Sequence, residues 1–212
     1  MKTMKHELQN VISGKSEVRH GTAIQAISGY LRRSNESGKL AKDSKQYKKQ
    51  EAQVLRDYII SHSLWIPDIL QNYISEGAEQ RVFLYDGKNV VKLNDSIFYS
   101  SWEDYFYSLL LHNYFFPDTS YELMGFREES GNLYAVVKQA FIKSTELTDL
   151  ENVRSFMQEN GFINTKNNDY HHPHLGIILE DLHDENVLTK SGVLHFVDTV
   201  FYITNKFYET PS

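Results

Sequence analysis

The sequence contains no cysteine, which excludes a disulfide framework and a zinc site built on thiolates. It also lacks any apolar run near the roughly 20 residues that a membrane-spanning helix needs. Residues 1–18, MKTMKHELQNVISGKSEV, have no apolar core of the kind found in secretory signals. These absences favour a soluble protein of a reducing cytoplasm, without a membrane partner.

The residues that are present are typical of a globular protein. Hydrophobic residues make up 41% of the chain, and Tyr and Phe are frequent, so the composition is not that of a disordered segment. A length of 212 residues suffices for one sizeable core or for two small lobes.

Charge is distributed unevenly along the chain. Residues 1–50 hold 11 Lys/Arg against 4 Asp/Glu, a balance of +7, whereas residues 51–212 hold 11 against 24, a balance of −13. One interpretation is a basic arm that attracts nucleic acid or an acidic partner. The other is a solvated helix face, or an arm that lies on the protein's own acidic body. The nucleic-acid interpretation is the weaker one, because the basic residues are not interleaved with aromatic ones.

The pattern of apolar residues changes along the chain from helical to strand-like spacing. Residues 6–33 have helical spacing with breaks at Gly14 and Gly21, a polar linker follows at 32–49, and 49–63 is an amphipathic helix. The remaining segments alternate, and the whole order is typical of an α+β fold. We expect hairpins at 81–94 and 121–142 and further strands at 176–203. Two helices are expected between them: one at 96–116, capped by Ser96 and stopped by Pro117, and one at 148–162, capped by Thr148 and ended at Gly161.

Four polar residues stand out because their neighbours are apolar. The stretch LEDLHDENVL, residues 179–188, places Asp181 and Asn186 five positions apart between apolar flanks. Asp198 follows twelve residues later in the apolar strand LHFVDTVFYI, and Lys92 lies in the strand VVKLN. A lone buried charge is unfavourable, so both charged residues need partners. Carboxylate and amide oxygens suit Mg²⁺, with a polyphosphate supplying further oxygens and a partner for the lysine.

These residues resemble the motifs of the protein-kinase-like superfamily. That pattern has a strand lysine, a loop Asp-x4-Asn and a metal-binding Asp about a dozen residues on. EDLHDENVL is similar to a catalytic loop of the aminoglycoside-phosphotransferase-like form, and EGAEQRVFLYDGKNVVKLND is similar to the phosphate-covering loop and lysine strand. Over about residues 50–205 the chain resembles the kinase domain of bacterial polyvalent proteins, found in phages and mobile elements.

The resemblance implies an architecture and a set of roles. A helical region, residues 1–70, would precede an N-lobe of small antiparallel sheet and one main helix, residues 71–142, and a truncated C-lobe, residues 143–212. ATP and Mg²⁺ would be the cofactors. The resemblance implies that Lys92 binds the α/β-phosphates, that Glu103 rather than Asp104 pairs with Lys92, and that Gly77 covers the phosphates. It also implies that the backbone of Gln139, Ala140 and Phe141 contacts adenine. Asp181 would be the catalytic residue, and Asn186 and Asp198 would hold Mg²⁺.

The chain also departs from the kinase pattern. Gly77 is the only glycine in the phosphate loop, Thr199 replaces the Phe of the metal segment, and fourteen residues follow Asp198. Three interpretations therefore stand: phosphotransfer to an unknown protein or small-molecule acceptor, a pseudokinase that serves as an interaction module, and a nucleic-acid-associated accessory factor of a mobile element. The histidines of HHPH (171–174) with His183 raise a zinc interpretation, which their adjacent spacing disfavours.

Overall fold

Three helices form the first part of the molecule. The computed structural model describes residues 4–36, 44–67, 72–76 and 80–209. The breaks predicted at Gly14 and Gly21 are confirmed, since Gly14 follows the first helix with a φ of 76° and the second helix begins at Gly21. The predicted linker is shorter than expected, because helices enter it from both sides, and its centre lies outside the described residues. The bounds are α1 Met4–Ser13, α2 Gly21–Glu36 and α3 Ser44–Ser61.

A five-stranded antiparallel sheet follows, with the order β1-β2-β3-β5-β4. Both predicted hairpins are confirmed. The first turns at Asp86, whose carboxylate accepts the N–H groups of Lys88 and Asn89, and the second turns at Gly131, which has a φ of 81°. The strands are β1 Tyr73–Glu76, β2 Gln80–Leu84, β3 Asn89–Asn94, β4 Glu122–Glu129 and β5 Asn132–Ala140.

The central helix α4, Trp102–Phe115, connects β3 to β4 and is largely buried. The prediction that Ser96 caps it is wrong. Ser101 is the N-cap, and its hydroxyl accepts the N–H of Asp104 at 2.9 Å. Ser96 instead adopts a φ of 58° in the turn after β3, where its N–H donates to Asn94. The helix ends before Pro117 as predicted, because proline cannot continue the hydrogen-bond pattern.

The described part of the second half of the chain is built from two helices and six short strands. Thr148 does not cap the helix as predicted: Asp149 accepts the N–H of Glu151, while the Thr148 hydroxyl donates to the carbonyl of Val187. Gly161, with a φ of 82°, follows the helix end as expected. The elements are α5 Leu150–Glu159, β6 Ile163–Lys166, β7 Asp169–His172, β8 Ile177–Glu180, β9 Val187–Lys190, β10 Val193–Phe196, β11 Val200–Ile203 and α6 Asn205–Tyr208.

These strands form two small antiparallel units, a sheet with the order β11-β8-β7-β6 and the hairpin β9-β10. A turn at Ser191 and Gly192 joins β9 to β10. Helices and antiparallel sheets together confirm the α+β class and a small kinase-like architecture. Among the described residues, no helix is long and apolar enough to cross a membrane.

One apolar core runs through the N-terminal helices, α4 and the second half of the chain. Phe106 of α4 and Phe126 of β4 lie in it fully buried, with ring centroids 6.3 Å apart. Leu31 of α2, Phe201 of β11 and Phe207 of α6 belong to the same cluster. The N-terminal helices therefore share their interior with the segments that carry the kinase-like motifs.

A buried carboxylate from α3 lies at the start of α4. Glu51 is fully buried and accepts the backbone N–H groups of Trp102 at 2.6 Å and of Glu103 at 3.2 Å. Burial raises its pKa from 4.5 to about 7, although the two backbone hydrogen bonds oppose the rise. The folded protein therefore holds a proton on Glu51 over a pH range in which the unfolded chain has released it.

We expect the contribution of Glu51 to stability to fall as pH rises from about 4.5 through about 7, by about 3 kcal/mol. Glu51→Gln stays uncharged at every pH, so the free energy of unfolding of this variant relative to wild type should rise by about that amount between pH 5 and pH 8. Urea unfolding at the two pH values measures the difference, with exposed Glu159→Gln as control. Parallel pH profiles for Glu51→Gln and wild type would contradict the assignment.

Candidate functional site

A cleft of about 330 Å³ lies between the five-stranded sheet and the start of the β9–β10 hairpin. Its volume is within the range of small-molecule sites. Apolar side chains line part of it, namely Val82, Val90, Ala140, Phe141, Leu188 and Val197. Charged and amide residues also line it, namely Glu76, Gln80, Lys92, Gln139, Glu185, Asn186 and Asp198. The cleft thus combines an apolar surface that can hold a ring with groups that can bind charge.

Lys92 enters the cleft from β3, and its side chain is 6% exposed. The ammonium donates to the carbonyl of Val197 at 2.7 Å and lies 3.8 Å from Oδ2 of Asp198. It also lies over the ring of Tyr121, 5.4 Å from the centroid. A buried ion pair contributes little net stability, so stability alone does not explain the pair of Lys92 and Asp198. The position of this pair at a cleft favours a functional role.

Asp198 lies opposite Lys92, after β10, with a side chain 21% exposed. Burial raises the pKa of its carboxyl, and the Lys92 ammonium counteracts this rise. Gln80 donates from its amide to the same carboxylate. The backbone N–H groups of Val197 and Asp198 both approach the carbonyl of Asn186, at 2.9 and 3.3 Å. The predicted metal segment and the end of the polar loop are therefore joined through the backbone.

The polar loop between β8 and β9 is held by hydrogen bonds from both sides. Asp181 adopts a φ of 68°, which is strained for a non-glycine residue. Its N–H donates to Oδ1 of Asp169 at 3.1 Å. The Asn186 amide nitrogen donates to the Asp181 carbonyl at 2.8 Å and to Oδ2 of Asp181 at 2.9 Å. This arrangement leaves the Asp181 side chain 58% exposed at the surface of the loop.

The donor set fits Mg²⁺ bound together with a polyphosphate. The amide nitrogen of Asn186 is engaged by Asp181, so its amide oxygen is the atom left to ligate a cation. Asp198 adds a carboxylate, and oxygen ligands are those that Mg²⁺ prefers, usually with substrate phosphates completing the shell.

Within the described ranges, no group of three or more His, Asp or Glu side chains is placed so that it could hold a metal ion by itself. The histidines of 171–174 therefore form no such group.

The predicted connector lies at the cleft, with one difference from the expected contacts. Gln139, Ala140 and Phe141 all line it. The N–H of Phe141, however, donates to the carbonyl of Lys88 at 2.8 Å, so that group is engaged by the sheet and does not face a base. The predicted phosphate-covering residue Gly77 lies outside the described residues.

Glu103 is not beside Lys92, and the structure does not form the predicted pair. Its carboxylate accepts hydrogen bonds from the Asn35 amide at 2.9 Å and from the Tyr107 hydroxyl, and it lies 3.5 Å from Nε of Arg32. The physical reason is the start of α4 at Trp102, which places Glu103 in the first turn, facing α2. There it lines a separate cavity of about 770 Å³ between α4 and the N-terminal helices.

A buried histidine of α4 contacts the metal segment instead. Nε2 of His112 lies 2.9 Å from the carbonyl of Thr119, which can only accept, so Nε2 carries the proton. Burial lowers the His112 pKa to about 3, so the ring is neutral and Nδ1 accepts from the hydroxyl of Thr199 at 2.7 Å. Thr199, which follows Asp198, thus connects the segment after β10 to α4 by a hydrogen bond.

Several site residues escaped the sequence interpretation. Gln80 is the first residue of β2 and belongs to no distinctive motif. His112 and Thr199 lie 87 positions apart. Asp169, which accepts the N–H of Asp181, belongs to the β6–β7 hairpin that the apolar pattern did not reveal. A polar His inside the apolar helix 102–115 was the one signal available for this network.

Comparison with known proteins adds the family. Curated proteins and solved structures give no match to the chain. Residues 48–205 match the family described as serine/threonine/tyrosine kinase found in polyvalent proteins. This range covers most of the chain and contains the lysine strand, the polar loop and the metal segment. The chain belongs to the kinase family of polyvalent proteins.

Proposed function

We propose that the cleft binds ATP with Mg²⁺ and that the protein transfers the γ-phosphoryl group to a hydroxyl of a protein or small-molecule acceptor. The observation that carries this proposal is the convergence of Lys92, Asn186 and Asp198 on one cleft with an apolar lining. These residues are more than a hundred positions apart in the sequence at their extremes, yet all three line one cleft.

Each residue then has a role in the proposed reaction. Lys92 binds the α- and β-phosphate oxygens, and Asn186 and Asp198 hold Mg²⁺, which neutralises charge on the phosphates. The acceptor hydroxyl oxygen forms a bond to the γ-phosphorus, and the bond to the β,γ-bridging oxygen breaks, leaving ADP. Asp181 accepts the hydroxyl proton. Its position at the exposed edge of the loop supports this role, because an acceptor can approach it from solvent.

Asp181→Ala is expected to lower phosphoryl transfer by at least about a hundredfold, because a positioned general base contributes about 10²–10⁴-fold. Autophosphorylation and release of labelled γ-phosphate in the presence of Mg²⁺ measure the effect. Asp184→Ala removes the same charge from an exposed position of the same loop and should retain activity. Equal activity of Asp181→Ala and wild type would refute the role of Asp181.

A pseudokinase is the second candidate function, and the position of Glu103 favours it. A kinase-like protein whose helix carboxylate is engaged by Arg32 and Asn35, rather than by the lysine, can bind a nucleotide without turning it over. The same assays separate the two functions. Mg²⁺-dependent ATP binding without phosphate release from wild type would favour the interaction module.

The basic N-terminal region has a structural use that weakens the nucleic-acid alternative. Lys5 donates to the carbonyl of Lys206, Arg32 to that of Ile12, and Lys48 to those of Ser96 and Tyr99. Part of the excess positive charge therefore stabilises the fold.

We propose that the protein belongs with the polyvalent proteins of bacterial mobile elements and acts in the cytoplasm, where ATP and Mg²⁺ are available.

A further inference from the structure

A tyrosine behind the cleft contacts the buried lysine through its aromatic ring. Tyr121 lies directly before β4 and is 3% exposed. Nζ of Lys92 is 5.4 Å from the centroid of the Tyr121 ring. This is within the distance of about 6 Å at which the negative face of an aromatic ring attracts a cation. Because Lys92 is itself buried, the attraction is little weakened by water.

The hydroxyl of the same tyrosine makes a second contact with this part of the site. It donates to the carbonyl of Val197 at 3.0 Å, and the Lys92 ammonium donates to that carbonyl at 2.7 Å. A carbonyl oxygen has two lone pairs, so it can accept both hydrogen bonds. Tyr121, Lys92 and the residue before Asp198 are therefore joined to one another.

Helix α4 determines where this ring lies. The Asn113 side chain accepts the backbone N–H of Tyr121 at 2.7 Å and donates to the Tyr121 carbonyl at 2.9 Å. The rings of His112 and Tyr121 lie 4.5 Å apart, centroid to centroid. The helix thus reaches Lys92 through an aromatic ring, whereas Glu103 in its first turn faces Arg32.

We propose that Tyr121 is a positioning residue of the nucleotide site, which holds the Lys92 ammonium off Asp198 and free to bind phosphate oxygens. This inference rests on the proposed nucleotide binding. Nζ of Lys92 lies 3.8 Å from Oδ2 of Asp198, which is longer than a direct hydrogen bond of about 2.7–3.2 Å. In direct contact the two charges would bind each other strongly, and ATP with Mg²⁺ would have to separate them.

An aromatic ring suits this role because it attracts the ammonium without carrying a net charge. Lys92 therefore keeps its positive charge for the phosphates, and Asp198 keeps its negative charge for Mg²⁺. A carboxylate in the place of the ring would neutralise the lysine instead.

Two replacements of Tyr121 that differ in the electrostatics of the ring test the proposal. Tyr121→Phe loses the hydroxyl but keeps the ring and its negative face. Trifluorophenylalanine, incorporated at position 121, has nearly the shape of phenylalanine, but its fluorine atoms withdraw electron density from the ring face and weaken the attraction for a cation. A purely structural role depends on shape and would not distinguish the two variants.

Calorimetric titration with ATP in the presence of Mg²⁺ should give similar affinities for wild type and Tyr121→Phe. The trifluorophenylalanine variant should bind about tenfold more weakly than Tyr121→Phe, a difference of about 1.4 kcal/mol. Crystal structures without nucleotide supply a second measurement. Nζ of Lys92 should approach Asp198 to within about 3.2 Å in the trifluorophenylalanine variant only. Thermal melts check that both variants fold.

Equal ATP affinities of the two variants, whether at the wild-type value or below it, would refute the role of the ring and leave nucleotide binding intact. An unchanged distance between Lys92 and Asp198 in the trifluorophenylalanine variant would refute it without reference to ATP. Failure of wild type to bind ATP would overturn the proposed function, and the distance would then still decide whether the ring holds the ammonium.

Discussion

Asp198→Asn is expected to abolish the Mg²⁺-dependent part of ATP binding and to lower phosphoryl transfer by at least about a hundredfold. The substitution keeps the size of the side chain but removes the charge that faces Lys92 at 3.8 Å and accepts from Gln80. An amide is a weaker ligand for Mg²⁺ than a carboxylate. Loss of one group that stabilises transition-state charge typically lowers turnover by about 10²–10³-fold.

The control for Asp198→Asn is Asp184→Asn, which makes the same chemical change at an exposed position of the neighbouring loop. Turnover and ATP affinity of the control should equal those of wild type, and a thermal melt of both variants checks their folding. If Asp198→Asn retained wild-type turnover in Mg²⁺, the carboxylate would not be a ligand of the catalytic metal.

The second large effect is expected from removal of the N-terminal helices. A chain lacking residues 1–43 should not fold, although it retains the whole range, residues 48–205, that matches the kinase family. Each buried Leu, Ile or Val side chain contributes about 1.5–3 kcal/mol, so these helices contribute on the order of 10 kcal/mol, comparable with the whole stability of a domain. The residues concerned are Leu8, Val11, Ile24, Ile27 and Leu31.

Two further features support this expectation. Removing α1 and α2 would expose the face of α4 around Phe106 and Leu110, which belong to the same core. It would also release the end of the chain, where the amide of Gln9 donates to the carbonyl of Phe207 at 2.6 Å. We therefore propose that α1 and α2 form one folding unit with the rest of the described chain.

Near-UV circular dichroism and thermal melting of the shortened chain test this proposal. Full-length Ile27→Ala serves as the control, since a single cavity of this kind lowers stability by about 2–5 kcal/mol while preserving the fold. A cooperative melt of the shortened chain, with near-UV signals like those of the full protein, would demonstrate instead that α1 and α2 are dispensable for folding.

The sequence was informative at two places where a charged residue interrupted an apolar strand. Lys92 in VVKLN and Asp198 in LHFVDTVFYI stood out because an isolated buried charge is unfavourable, and the structure places the two within an ion pair's distance. The hairpins were predictable for a different reason, since Asp-Gly and Ser-Gly-Asn turns have specific backbone requirements that few residues meet.

The failures arose where tertiary contacts decide between equivalent local signals. Ser96 and Ser101 are both acceptable caps, and the choice of Ser101 turns Glu103 toward Arg32 rather than Lys92. Local sequence does not determine which face of a largely apolar helix meets which neighbour. Similarly, the amide of Gln139 donates to the carbonyl of Thr119, twenty positions away, and no sequence pattern indicates this hydrogen bond.

The most direct test of the central claim is calorimetric titration of ATP, with and without Mg²⁺, into wild type and Asp198→Asn. The claim is that Lys92, Asn186 and Asp198 form one nucleotide–metal site. It predicts that wild type binds ATP, that Mg²⁺ strengthens this binding, and that the strengthening disappears in Asp198→Asn. Absence of ATP binding to wild type, or an undiminished effect of Mg²⁺ in Asp198→Asn, would contradict it.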